Sequence, residues 1–110
     1  MNALAVSERS FQTAVVELCQ LLDWRVFHPL PATNQRGQWR TFTQGHPGFP
    51  DLTLSHRTRG FLMVELKSDT GRLSEAQKLW RDSLQASGVE WHLWRPSDWA
   101  LIQSRLLGVR

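Results

Sequence analysis

The chain has 110 residues, of which 41% are hydrophobic and 21% charged. That composition fits one ordinary soluble domain with a real core and leaves little room for a second, so residues 1–110 are expected to form a single domain. Cys19 is the lone cysteine, which excludes an intramolecular disulfide and suits a reducing cytoplasm. No apolar run approaches the ~20 residues of a membrane helix, and no basic segment leads an apolar one at the N-terminus, so neither a span nor a signal peptide is expected.

Thirteen Lys plus Arg stand against ten Asp plus Glu, for a net charge of +3. Eleven of the thirteen are Arg, the side chain best suited to bidentate phosphate contacts. No acid occurs from Trp24 to Pro50, whereas Arg25, Arg36 and Arg40 do. The charge pattern fits a polyanionic partner, and an ordinary solvated basic surface explains it equally well.

Ser7 is a fitting N-cap for a first helix over residues 8–22, whose Phe11, Val15, Leu18 and Leu22 make one apolar stripe. Trp24 to His28 reads as a short strand ended by Pro29 and Pro31. Residues 29–48 are polar and read as a long loop, rich in Arg, Gln and Asn, that could serve phosphates and base faces. Trp39 is its candidate for base stacking, with loop anchoring as the alternative.

Asp51 to Ser55 and Phe61 to Lys67 read as two strands of a hairpin turned at residues 56–60. Ser74-Glu75-Ala76-Gln77 has capping-box spacing and opens a helix to about Ser87, closed by Gly88. Val89 to Arg95 is a further strand stopped by Pro96, after which Ser97 is expected to cap a last helix to about Leu107. The order α-β-β-β-α-β-α predicts an α/β fold, a mixed central sheet flanked by helices.

The chemistry concentrates on the hairpin. Glu65 and Lys67 alternate on one face of their strand, and Leu62, Val64 and Leu66 occupy the other as core. Asp51 begins the partner strand and can bring its carboxylate beside that of Glu65. Two converging carboxylates repel unless a cation sits between them, and oxygen ligands of this kind suit Mg²⁺ or Mn²⁺. Such an ion activates water and offsets charge in phosphodiester hydrolysis, with Lys67 as a positive charge beside the phosphate. The plainer alternative is a surface ion pair between Glu65 and Lys67. His28, His46, His56 and His92 lack compact metal-ligand spacing, and a zinc site is not expected. Cys19 lies near the apolar stripe and reads as core.

Gly48-Phe49-Pro50-Asp51-Leu52, Val64-Glu65-Leu66-Lys67-Ser68 and Gly71-Arg72-Leu73-Ser74-Glu75-Ala76-Gln77 together resemble the motifs of the virus-type replication-repair nuclease (VRR-NUC) domain of the PD-(D/E)XK superfamily. The resemblance runs from Glu8 through Trp94-Arg95-Pro96-Ser97-Asp98. It implies a restriction-endonuclease-like fold with Asp51, Glu65 and the Leu66 carbonyl as metal ligands, Lys67 as the catalytic lysine, and Gln77 facing the site. The superfamily often adds a first-helix glutamate. Glu8 with Gln12 beside it is the favoured candidate and Glu17 the reserve, although an exposed acid at a helix start is equally explained by the helix dipole. Arg36, Arg40, Trp39 and Arg72 are the candidate DNA contacts. Asp23 stands where such domains often carry a helix-ending Gly.

The resemblance further implies a homodimeric DNA endonuclease acting on branched DNA, such as four-way junctions or flaps, from a phage or bacterial cytoplasm. The alternatives are a nuclease acting on ordinary duplex and a DNA-binding module with a vestigial site. Six tryptophans also suggest surface for pairing, since Trp91 and Trp94 face opposite sides of one strand and at least one is expected outside the core.

Overall fold

The computed structural model describes residues 7–30, 32–33, 36, 39–40 and 44–108, without the side chains of 32–33 and 39–40. Helix α1 spans Glu8–Leu21, and the Ser7 hydroxyl accepts the Ser10 N–H at its start. Its Phe11, Val15 and Cys19 are buried, which is the apolar stripe read from the sequence. The helix ends with Asp23 at φ 67, the only non-glycine with positive φ among the described residues. That is the left-handed geometry a glycine would take without strain.

Strand β1 (Arg25–Phe27) follows. The polar stretch expected to be one continuous loop instead contains a two-residue antiparallel ladder, β2 (Ala32–Thr33) with β3 (Trp39–Arg40). Ladders this short carry no periodicity that a sequence can display. Strands β4 (Leu52–His56) and β5 (Gly60–Leu66) form the expected hairpin. The His56 ring accepts the N–H groups of Thr58 and Arg59 across its turn.

Helix α2 (Glu75–Ala86) starts with the complete Ser74–Gln77 capping box. It carries the chain over to β6 (Glu90–Trp94), which lies parallel to β5. The main sheet has the order β1-β4-β5-β6, antiparallel except for the last pair.

Beyond β6, Ser97 does not act as the expected cap. Pro96–Asp98 forms a 3₁₀ turn in which the Asp98 carboxylate accepts the Arg95 N–H, and helix α3 (Trp99–Leu106) begins only after it. The N–H of Ser97 goes instead to the Asp69 carboxylate. The fixed φ of Pro96 favours this tight start.

The core brings Phe11, Val15 and Cys19 of α1 and Ile102 and Leu106 of α3 against Leu52, Leu54, Leu62, Val64, Leu66 and Trp94 of the sheet. Each fully buried aliphatic side chain contributes about 1.5–3 kcal/mol. Cys19 belongs to this layer, and burial pushes its thiol up to about 12. The opposite face of β5 is also covered in its second half, where Met63 and Glu65 are both buried.

Of the five tryptophans whose side chains are described, Trp24 and Trp94 are buried and Trp80, Trp91 and Trp99 are half-buried. Trp94 belongs to the core and Trp91 lies outside it, as the alternation along their strand predicts. Exposed apolar surface comes from residues such as Phe27, Leu30, Leu79 and Leu101. Among the described residues no helix is long and apolar enough to cross a membrane.

Candidate active site

The hairpin register sets Leu52 opposite Val64, so Asp51 lies just before the start of β4, level with the end of β5. Pro50, fully buried, precedes it and has no N–H to continue the ladder. The Asp51 side chain takes over the role of a backbone carbonyl there, with Oδ2 accepting the Leu66 N–H at 2.8 Å. One hydrogen bond therefore fixes the carboxylate against the strand that carries Glu65.

Glu65 is 3% exposed, on the face of β5 opposite the Leu62-Val64-Leu66 core row. Gln77 donates its Nε2 to Glu65 Oε2 at 3.1 Å, while its Oε1 accepts the Ser74 N–H at 2.9 Å. The same side chain thus closes the capping box of α2 and orients the Glu65 carboxylate. The two bonds also fix which end of the amide is oxygen and which nitrogen.

Burial is the main reason that the Glu65 carboxyl is pushed up to about 9. The neighbouring Asp51 carboxyl adds to the rise, and Glu8 adds a further repulsion; Lys67 opposes them. Lys67, half-buried just beyond β5, donates its backbone N–H to the Trp94 carbonyl.

The donor set fits a hard divalent cation. It is made of oxygen only, and it sets the half-buried Asp51 carboxyl beside the buried Glu65 carboxyl. Among the described residues no three His, Cys, Asp or Glu side chains gather as a ready metal cage. A Mg²⁺-type ion needs only one or two carboxylates, with water and phosphate completing its shell, whereas a structural zinc site needs more.

The structure thus brings together Asp51, Glu65, Leu66, Lys67 and Gln77. Glu8 stands exposed at the first turn of α1, near enough for its charge to act on Glu65 but outside any three-acid cluster. Arg36 is exposed in the turn between β2 and β3, and Arg72 is exposed ahead of α2. The side chains of Trp39 and Arg40 lie outside the described residues.

Sequence reasoning gave no role to the loop that delivers Asp51. Gly48 has φ +88, and a Cβ placed on it would come within 2.5–2.8 Å of Ala76 in the first turn of α2. Phe49 meets the Trp80 ring edge-on at 4.9 Å, and Trp80 Nε1 donates to the His46 carbonyl. These contacts lock the segment before Asp51 to the helix that carries Gln77. The Gly-Phe pair ahead of Pro50-Asp51 was the only signal for them. The same loop and helix leave an open groove of about 300 Å³ lined by His46, Pro47, Ala76, Leu79, Trp80 and Ser83.

The VRR-NUC domain profile matches residues 5–97, which include each of these site side chains. The chain matches no curated protein and no solved structure. With the mixed sheet, the flanking helices and the Asp51–Glu65–Lys67 corner on a PD-(D/E)XK-like fold, the chain belongs to the VRR-NUC family of nuclease domains.

Proposed function

We propose that this nuclease domain is a Mg²⁺- or Mn²⁺-dependent DNA endonuclease that hydrolyses phosphodiester bonds at the Asp51–Glu65 corner. The observation that carries the reading is the carboxyl pair itself, half-buried Asp51 held by the Leu66 N–H and buried Glu65 held by Gln77. Asp51, Glu65 and the Leu66 carbonyl would hold the ion. When bound, the ion supplies Lewis-acid charge at the phosphate and lowers the pKa of a coordinated water. Lys67 places its ammonium where charge builds up on the phosphate oxygens. Gln77 keeps Glu65 in one orientation, and Glu8 adds negative potential that favours a cation. Arg36, Arg40 and Arg72 carry the DNA backbone, and Trp39 offers a stacking face for a base.

The substrate proposed is branched DNA, a four-way junction or a flap, cut by a homodimer. One site per chain cuts one strand, and resolving a junction takes two symmetric cuts, which a two-fold pair of chains supplies. The test is cleavage of matched junction, flap and linear duplex with Mg²⁺, with Mn²⁺ and with chelator, together with light scattering at micromolar concentration. The expected outcome is metal-dependent cutting that favours branched DNA, by a dimer. A monomer that cuts duplex equally well would reject the branched-DNA reading and leave the nuclease reading standing. Binding without cleavage under every metal condition would favour a vestigial site.

A further inference from the structure

The turn that follows Lys67 is built around the stem of that lysine. Residues 68–71 close on themselves through the Gly71 N–H, which donates to the Ser68 carbonyl at 3.2 Å. The far side of the turn is pinned from the β6–α3 junction. Arg95 Nη1 donates to the same Ser68 carbonyl at 2.6 Å, and the Ser97 N–H donates to Asp69 Oδ1 at 3.0 Å. Arg95 is in turn held by its own N–H to the Asp98 carboxylate at 2.9 Å. The turn therefore cannot easily swing away from the lysine it faces.

Gly71 lies at the point of contact. A Cβ built on it would stand 3.2 Å from Ser68 Oγ, 3.3 Å from Lys67 Cδ and 3.4 Å from Lys67 Cβ. The first two separations are tighter than ordinary contacts, and the third is at their edge. The backbone at Gly71 is outside the left-handed region, so a side chain there meets no conformational strain of its own. The Ser68 hydroxyl can rotate aside, and the lysine stem gives way at Cδ, because the turn backbone is braced and the stem is flexible.

We propose that Gly71 is a positioning residue for Lys67. The absence of a side chain at position 71, on a turn fixed by Arg95 and Ser97, leaves free the space that the Lys67 stem lies against and so sets the course of that stem. This rests on the nuclease reading for its catalytic consequence, while its geometric content stands apart from it. A methyl group at position 71 shifts the stem by a few tenths of an ångström. A shift of that size costs less than the ~10²-fold associated with a misplacement of 1 Å, and a loss of roughly 3- to 10-fold in the cleavage step is expected.

The chain has two lysines, Lys67 and Lys78, which makes the geometry directly readable. Protein labelled with ¹³C-lysine gives two ε-methylene resonances, assigned with Lys67→Ala. In Gly71→Ala the Lys67 resonance should move and the Lys78 resonance should stay, with the melting temperature nearly unchanged. Single-turnover cleavage should slow while the KM for DNA stays within about twofold. In a Lys67→Ala background the same substitution should not slow the residual rate further, since it acts through the lysine. Gly71→Ser should behave as Gly71→Ala does. An unmoved Lys67 resonance, or an equal slowing in the Lys67→Ala background, overturns the proposal. A wild-type chain that cuts no DNA with either metal defeats the nuclease reading instead, and the Lys67 resonance still decides the positioning claim.

Discussion

Glu65 and Glu90 are carboxylates on the neighbouring parallel strands β5 and β6, at opposite ends of the sheet. Glu90 pairs in register with Leu62 at the start of β5, whereas Glu65 sits near its finish. Glu90 is met by Arg105, 7% exposed, whose Nε and Nη2 donate to its two oxygens at 2.6 and 3.0 Å. Arg105 also donates to the Arg59 carbonyl and lies over the Trp24 ring, while Trp24 Nε1 and Arg59 Nη1 both donate to the Leu106 carbonyl. This assembly closes the C-terminal helix onto the sheet.

The Arg105 guanidinium holds the Glu90 carboxyl down at about 2, while burial and Asp51 push Glu65 up to about 9. At the structural end the fold supplies its own counter-charge. At the site end it buries an acid beside another acid, and among the described residues Lys67 is the charge that opposes them. Under the proposed function a cation from solution would complete the second arrangement, whereas the first is already neutralised by Arg105.

Removing a carboxylate should therefore have opposite consequences at the two ends. Asp51→Asn, Glu65→Gln and Lys67→Ala should each lower DNA cleavage by roughly 10²-fold or more, the scale on which single charge-stabilising groups act in catalysis. The two carboxylate variants should fold as well as the wild type or up to about 1 kcal/mol better, because Glu65→Gln removes the buried carboxyl that takes up a proton on folding and Asp51→Asn removes a charge that raises it. Cleavage assays paired with urea unfolding in chelator check this, and near-normal activity in Glu65→Gln would remove the contrast at its functional end.

Glu90→Gln should do the reverse. It strands the buried Arg105 charge and should destabilise by about 2–3 kcal/mol, below the ~3–5 kcal/mol of a fully buried pair because Glu90 is partly exposed. Cleavage per folded molecule should be retained. Urea unfolding reads the loss, and an unchanged midpoint would show that Glu90 is not the counter-ion that holds the closure.

Acid and base should separate the two ends without mutation. Glu65 has its folded pKa raised from 4.5 to about 9, so the metal-free native state keeps a proton that the unfolded chain releases. Its contribution is full below 4.5 and is lost as pH climbs toward about 9. Glu90 is lowered from 4.5 to about 2, so its contribution is full above 4.5 and is lost as pH falls toward about 2. Thermal melts across pH in chelator should show an alkaline decline that disappears in Glu65→Gln and an acid decline that is reduced in Glu90→Gln. Divalent metal should reverse the alkaline decline alone.

A more modest change belongs to neither end. Asp23→Gly relieves the left-handed backbone at the close of α1 and should stabilise by about 0.5–1 kcal/mol, with cleavage unchanged. A melting temperature that falls would mean that the Asp23 side chain supports the turn more than its backbone strains it.

That turn was legible in the sequence, as were most of the helices, the hairpin and the meeting of Asp51 with Glu65. Each depends on local signals: apolar stripes, capping spacing, and the strand alternation that sets Glu65 on the face opposite Leu62, Val64 and Leu66. What the sequence could not display is long-range. The Arg105–Glu90 closure joins residues 15 apart through tertiary packing, and the Gly48–Ala76 and Gly71–Lys67 contacts depend on how loops lie against their neighbours. The β2–β3 ladder is too short for periodicity, and the 3₁₀ turn at Pro96 displaced the expected Ser97 cap because Asp98 takes the Arg95 N–H.

Calorimetric titration of Mn²⁺ into the metal-free protein near neutral pH, repeated in buffers of different ionisation enthalpy, addresses the carboxyl pair itself. The pair holds a proton there that a cation must displace, so binding should release about one proton per ion in the wild type, and Glu65→Gln should bind Mn²⁺ far more weakly. Tight Mn²⁺ binding with no proton released, or binding undiminished in Glu65→Gln, would contradict the claim that the Asp51–Glu65 pair is the metal site.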